Sequence, residues 1–385
     1  MRLSPRTLGQ IDSPVGAAYA LLGLREGGKK LLDLSQAAPQ YPTAPEVSEH
    51  AARIARDDRG GAYTEVPGLP KLREAFAAEL SRDYGGTVSP ANVVITAGCN
   101  QAFSVVASAL AGPGDEVIVP LPYYFNHDMW LRLNGVTPVY LETGPDLTPS
   151  AAAARARITP RTRAIVLVTP GNPTGVTVSP DGIAQFAAVA QRHGVALILD
   201  ETYRSFRGTG RPAHGLFAHP DWEQTLVSLH SFSKDLAIPG YRVGAVAAAP
   251  ELNREICKLL DCVAICAPRI GQEAAWAGLT LARAWRAARA GDIARQRGWF
   301  ADAMAARPGG FELLSCGGYF AWIRHPFAGR STDDVVKDLV VKQDMLLMPG
   351  TAFQPGDCGA MRVSISNLDR SQIADFTDRL LAMRR

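Results

Sequence analysis

The chain has 385 residues, 47% of them apolar and 20% charged, with 36 Gly and 27 Pro spread along its length. That length suits two domains with a sizeable core at roughly 100–200 residues each, and the composition excludes disordered, collagen-like and membrane-spanning classes. Forty Lys and Arg against 37 Asp and Glu leave a formal charge of +3 with no basic block, so charge argues against a nucleic-acid partner.

The first 45 residues, rich in Pro and polar residues around LSQAAPQYPTAP, read as an extended arm. The apolar run VGAAYALLGL from Val15 follows Asp12 and Pro14, lacks a cleavage site and is too short to cross a bilayer, so a soluble, cytoplasmic protein is expected. From about residue 90, short apolar runs alternate with helical patterns: NVVIT, EVIVP, TPVYL, AIVLV, ALILD, TLVSLH and VGAVAAA. Uninterrupted apolar strands with helical crossovers predict an α/β fold with a largely parallel sheet covered on both faces. Ligands then gather at the carboxyl ends of the strands. A long helix is predicted from about Gly271 to Ala306, followed by strand candidates FELLS, YFAWIR, MLLMPG and MRVSIS in a smaller α+β unit. The division expected is 1–45 as arm, 46–285 as large domain and 286–385 as small domain. Six Cys (99, 257, 262, 266, 316, 358) suit buried thiols in a reducing compartment. Cys262 and Cys266 have no second ligand pair at zinc spacing, and no metal is expected.

Four segments carry chemistry. SFSKDLAIPGYRVG places Ser231, Ser233 and Lys234 in a turn after a strand, with Arg242 eight residues past the lysine. Desolvation lowers the pKa of such a lysine toward the neutral amine that an imine-forming nucleophile requires, and the hydroxyls and guanidinium form a phosphate cradle. Ser231-x-x-Lys234 also matches the S-x-x-K element of serine acyltransferases, but their S-D-N and K-T-G elements are missing. In LILDETYRSF, Asp200 and Glu201 end an apolar strand and Tyr203 follows; Asp200 suits either a cationic ligand nitrogen or a helix N-cap. In VTPGNPTGV, Gly171, Pro173 and Gly175 make a rigid turn that holds the Asn172 amide. In ITAGCNQAF, a strand runs through Gly98, Cys99 and Asn100 into a helix whose amides attract phosphate, without a G-x-G-x-x-G or P-loop.

Together these segments resemble, in order and over nearly the whole chain, the fold-type I pyridoxal-phosphate enzymes of the class I/II aminotransferase family. YTEVPGLPKLRE from Tyr63, PYY from Pro122, GGYFAW from Gly317, MPGTAF from Met348 and RVSISN from Arg362 extend the match. The resemblance implies a large domain with a mostly parallel seven-stranded sheet, a smaller α+β domain and pyridoxal 5'-phosphate as cofactor. Lys234 then carries the cofactor as an internal aldimine, Asp200 pairs with the pyridine nitrogen, and Asn172 and Tyr203 hydrogen-bond the phenolic oxygen. Ser231, Arg242 and the amides around Gly98, Cys99 and Asn100 bind the phosphate, and Tyr124 stacks on the ring. Tyr63 reaches the phosphate of the neighbouring subunit, which makes a homodimer. Arg362 clamps the substrate α-carboxylate beside Asn172.

Transamination between an L-amino acid and a 2-oxo acid follows, with β-eliminating C–S lyase chemistry as the alternative. A cofactor-binding regulator is disfavoured, because Tyr63 leaves no room for a preceding DNA-binding domain. Ala37 stands where many relatives have a glycine near the substrate carboxylate. Arg269 and Arg297 are read as surface or structural. Tyr123, Phe125, His127 and Trp130 hint at an aromatic or bulky apolar substrate.

Overall fold

The computed structural model describes residues 1–208 and 212–383. In chain order the strands are β1 (Leu32–Asp33), β2 (Val93–Thr96), β3 (Glu116–Pro120), β4 (Thr137–Leu141) and β5 (Thr162–Val168). There follow β6 (Ala196–Asp200), β7 (Leu226–Ser231), β8 (Gly244–Ala247), β9 (Glu312–Gly317) and β10 (Phe320–Arg324). The last three are β11 (Met345–Leu346), β12 (Met348–Pro349) and β13 (Ala360–Ser364). A seven-stranded sheet has the order β2-β8-β7-β6-β5-β3-β4. It is parallel except where β8 runs antiparallel to β2 and β7.

The continuous apolar runs of this sheet are explained by burial on both sides. Successive residues alternate between two cores: Ile165, Leu167, Leu197 and Leu199 face one, while Val166 and Ile198 face the other. Helices such as Pro70–Tyr84 and Pro180–His193 cover the first core, and Cys99–Leu110 and Pro250–Ala264 the second. A four-stranded antiparallel sheet, β12-β13-β10-β9, packs on a third core with the helices Thr332–Gln343 and Arg370–Ala382.

Several expectations are corrected. The first 45 residues are not simply extended, since Pro5–Leu8 and Pro14–Ala20 are helical. Proline at the start of each and the Ser13 hydroxyl accepting from the Gly16 amide favour the second helix, which spans most of the apolar run. The predicted helix 271–306 is two helices, Arg269–Leu281 and Arg283–Ala305, broken where Ala282 leaves helical backbone at φ −111°, ψ 27°. Position 285 therefore falls inside the second of these helices. MLLMPG is divided: β11 pairs with β1 of the N-terminal segment, whereas β12 joins β13.

Topology collects the loops that matter. Strands β5, β6 and β7 are neighbours and parallel, so the turns after Val168, Asp200 and Ser231 emerge at one edge. Opposite them Arg362 lies on β13, in register with Trp322 of β10 and Met348 of β12.

Candidate active site

The carboxyl edge of the large sheet and the face of β13 enclose a cavity of about 360 Å³. Such a volume suits a small organic ligand. Ala37, Cys99, Asn100, Tyr124, Asn172, Asp200, Tyr203, Ser231, Lys234, Arg242 and Arg362 all line it. Gly98 caps the helix Cys99–Leu110 just behind it. Tyr63 does not; it is 75% exposed on the protomer surface.

At one end the helix Cys99–Leu110 begins without a side-chain cap, which leaves its first amides free for an anion. Gly98 has φ +88°, and a Cβ there would lie 2.3 Å from the Arg242 guanidinium, so only glycine lets that cation approach the helix start. Arg242 donates to the carbonyl oxygens of Ala97 at 3.2 Å and Pro239 at 3.0 Å. Ser231 ends β7 and caps the short helix Phe232–Asp235 that carries Lys234.

At the other end Asp200 is buried, with His127 Nε2 3.3 Å from its Oδ2 and the Thr202 amide donating to Oδ1 at 3.0 Å. Burial opposes ionisation, but His127 and Thr202 outweigh it and hold the carboxyl below its ordinary range. His127 is stacked on Phe103 with ring centroids 3.9 Å apart. Lys234 lines the same cavity. Burial, with the guanidinium groups of Arg362 and Arg242, pushes its ammonium down to about 8, and Nζ donates to the Ala37 carbonyl oxygen.

Arg362 is buried between the rings of Phe320 and Phe353, 4.8 and 4.9 Å from their centroids. It donates to Asn172 Oδ1 at 2.7 Å and to the Ser35 carbonyl oxygen, while its Nε has no partner. Burial lowers it to about 10. Gly175, at φ +74°, would place a Cβ 2.4 Å from the Gly317 carbonyl oxygen, so a glycine is needed to bring the Asn172 turn against β9. Tyr203 is buried against Tyr319 and Phe320, and burial raises its hydroxyl well above the usual range. Tyr124 donates to Asn100 Oδ1 at 3.2 Å.

Sequence reasoning placed His127 near the site as an aromatic group but missed its pairing with Asp200; its position three residues after Tyr124 was the available signal. Val15, Gln36, Thr202 and Phe320 also line the cavity; each lies in a segment quoted above, but none was singled out for a role. Of Tyr123, Phe125, His127 and Trp130, only Phe125 lines it. Tyr123 stacks on Tyr140, and the Trp130 indole donates to the Ser104 carbonyl oxygen. Arg297 is structural as expected, donating to the Phe206 carbonyl oxygen.

The cavity therefore holds three cationic groups, Lys234, Arg242 and Arg362, against the single carboxylate of Asp200. Such a lining suits an anionic ligand that carries a protonated nitrogen, with the Lys234 side chain beside it. Phosphate donors, an amine able to bond a carbonyl carbon and a buried carboxylate fit pyridoxal phosphate as a donor set.

Fold and site together define an α/β protein with a buried lysine at the carboxyl edge of a doubly covered sheet. The family profile described as aminotransferase class I and II matches residues 29–380. An aspartate/prephenate aminotransferase of Thermus thermophilus is 30% identical, covering 87% of this chain and 85% of that one. An aromatic aminotransferase of Arabidopsis thaliana is 29% identical over 98% and 95%. Among solved structures, a Thermus thermophilus aspartate aminotransferase mutant superposes with a TM-score of 0.90 at 26% identity, covering 99% of this chain and all of that one. An aminotransferase from Mycobacterium tuberculosis gives 0.89 at 26% identity, over 100% and 99%. The chain belongs to the class I and II aminotransferase family and is a pyridoxal-phosphate-dependent enzyme of fold type I. Among the described residues no helix is long and apolar enough to cross a membrane, and no cluster of His, Cys, Asp or Glu is arranged to hold a metal.

Proposed function

We propose that the enzyme transfers the amino group of an L-amino acid with an apolar or aromatic side chain to a 2-oxo acid, with Lys234 as the residue that holds the cofactor. The observation that carries this reading is one cavity in which an amine lowered to about 8, an ionised buried Asp200 and a buried Arg362 converge. Val15, Phe125 and Phe320 in the same lining support an apolar side chain.

The bound cofactor supplies an electron-withdrawing ring that stabilises negative charge at the substrate Cα. Asp200, kept ionised by His127 and Thr202, would hold a proton on the ring nitrogen. Ser231, Arg242 and the amides at Cys99 and Asn100 would bind the phosphate, Tyr124 would stack on the ring, and Asn172 and Tyr203 would hydrogen-bond its phenolic oxygen. Arg362 receives the substrate carboxylate; its unpartnered Nε and lack of an acidic partner among the described residues leave its charge for an incoming anion. That grip, with Asn172, orients the Cα–H bond toward Lys234. Once the substrate amine has displaced it from the cofactor, the freed Lys234 amine, which burial lowers from 10.5 to about 8, would take the proton from Cα.

The exposed Asn100 and Arg242 leave the phosphate end open on the protomer, and exposed Tyr63 is free to close it in a partner subunit. We therefore extend the reading to a homodimer: mixing inactive Lys234→Ala with Tyr63→Ala subunits is expected to change activity per lysine-competent subunit. Purified protein should be yellow, and Lys234→Ala should lose the covalent absorbance band. A half-reaction screen of twenty amino acids, each followed spectroscopically without oxo acid, identifies the donor. Preferential conversion by apolar and aromatic amino acids is expected; preference for aspartate or glutamate overturns the substrate class. Release of pyruvate and ammonia without an oxo acid acceptor overturns transamination in favour of elimination.

A further inference from the structure

Three residues of the proposed site are each followed in the chain by a charged residue fixed in the protein behind the cavity: Asp200 by Glu201, Tyr203 by Arg204, Lys234 by Asp235. Glu201 accepts from Tyr84 Oη at 2.5 Å and Ser228 Oγ at 2.7 Å. Asp235 Oδ2 accepts from Arg286 Nε at 2.8 Å and Nη2 at 2.5 Å. Arg286 also forks onto Glu79, Nη1 to Oε2 at 2.7 Å and Nη2 to Oε1 at 2.9 Å. Arg204 donates to the same Glu79 carboxylate through Nη2 and to Asp83 Oδ2 at 3.3 Å through Nη1.

Glu79 is 2% exposed, and burial is outweighed by Arg204 and Arg286, which hold its carboxyl down at about 2. It lies on the helix Pro70–Tyr84 beside Phe76, whose ring packs on Phe232 at 5.1 Å and His230 at 5.0 Å. Phe76, Glu79 and Tyr84 share one face of that helix at i, i+3 and i+8, so one rigid rod touches the bases of both site turns. Buried ion pairs add little net stability over apolar packing, yet they demand one geometry. Here that geometry is imposed one residue away from the groups that meet the ligand.

We propose that Glu79 is a positioning residue: through Arg204 on one side and Arg286 with Asp235 on the other, it fixes the spacing of Tyr203 and Lys234. The proposal rests on the site assignment made above for those two residues. The step it serves is proton transfer at the substrate Cα, where small displacements of a reacting group cost large factors in rate.

The test uses Glu79→Gln, which keeps size and loses the second charge-assisted fork, and Asp235→Asn, which releases the lysine turn alone. Hydrogen–deuterium exchange is measured on cofactor-free protein. In Glu79→Gln, peptides covering 200–206 and 231–237 are expected to exchange roughly tenfold faster together, with 360–364 unchanged. In Asp235→Asn only 231–237 should accelerate. With cofactor, Glu79→Gln should lose about 10–100-fold in kcat with KM within about threefold. Unchanged exchange in both segments, or faster exchange with unaltered kcat, overturns the proposal. If Glu79→Gln does not fold, Asp235→Asn decides: normal exchange at 231–237 and normal kcat overturn it. The exchange readout is independent of Lys234 chemistry, so retention of a covalent cofactor by Lys234→Ala would sink the site assignment and leave the coupling measurement unaffected.

Discussion

Lys234 and Arg362 are the two groups whose ionisation the site alters most usefully. Burial and two guanidinium groups lower Lys234 from 10.5 to about 8, so the neutral nucleophile is already present in quantity near physiological pH. Covalent capture of pyridoxal phosphate by the cofactor-free protein should therefore rise between pH 7 and 9 with a half-maximum near 8, measured by stopped-flow absorbance; a half-maximum near 10.5 would mean the amine is ordinary. Arg362 holds its guanidinium between two aromatic rings and points two donors at fixed acceptors. Arg362→Lys keeps a charge but loses the planar fork, and KM for the amino donor is expected to rise about 10–100-fold, the range for losing a charged hydrogen bond. The cofactor absorbance should stay as in the parent. Lys234 was legible as a candidate because it sits in a short motif just after a strand, whereas Arg362, in the middle of β13, was named only through the family resemblance of RVSISN. The His127 contact with Asp200 was not legible, because residues 127 and 200 meet only through the packing of a helix on a strand.

Elements place those residues by their ends. The helix Cys99–Leu110 opens on a glycine at positive φ with Arg242 against it, and that pairing makes the cationic end proposed to take the phosphate. Gly98→Ala strains the backbone and pushes the guanidinium away, so a loss of roughly 1–3 kcal/mol in stability is expected together with weaker cofactor retention. Thermal unfolding and equilibrium dialysis report the two effects separately. Strand positions were readable from apolar runs of β-branched and aliphatic residues, and the seven-stranded order follows the expected parallel architecture. The helix break at Ala282 was hidden, because the pattern stays helix-compatible through it and tertiary packing makes the bend. MLLMPG misled as a single strand, since its two halves serve two sheets on opposite sides of Leu347.

At the scale of the whole molecule, buried polar groups carried by the sheet itself are expected to shape the response to acid. Burial, opposed by the Glu201 charge, lowers His230 from 6.5 to about 3, and the ring hydrogen-bonds Ser228 Oγ at 2.9 Å. As pH falls below 6.5 the unfolded chain takes up this proton first. Stability present above 6.5 is therefore lost progressively as pH falls toward 3, by on the order of 2 kcal/mol between pH 6.5 and 4.5. His230→Gln should be less stable at pH 7 but show a flatter dependence over that window in urea unfolding. An equal slope in both proteins would show that other groups carry the acid sensitivity.

Order along the chain marked the candidate site residues and the runs that form the sheet, because side-chain type and local periodicity are properties of neighbours. What lies next to what across the fold was decided by the folded state alone: His127 on Asp200, Ala37 beneath Lys234, Arg362 between Phe320 and Phe353, and Glu79 joining two turns. Apart from Phe353, nine residues before Arg362, those contacts link residues separated by tens to hundreds of positions. Their geometry arises from packing two cores on one sheet and a third beside it, a global compromise that no short window of sequence contains.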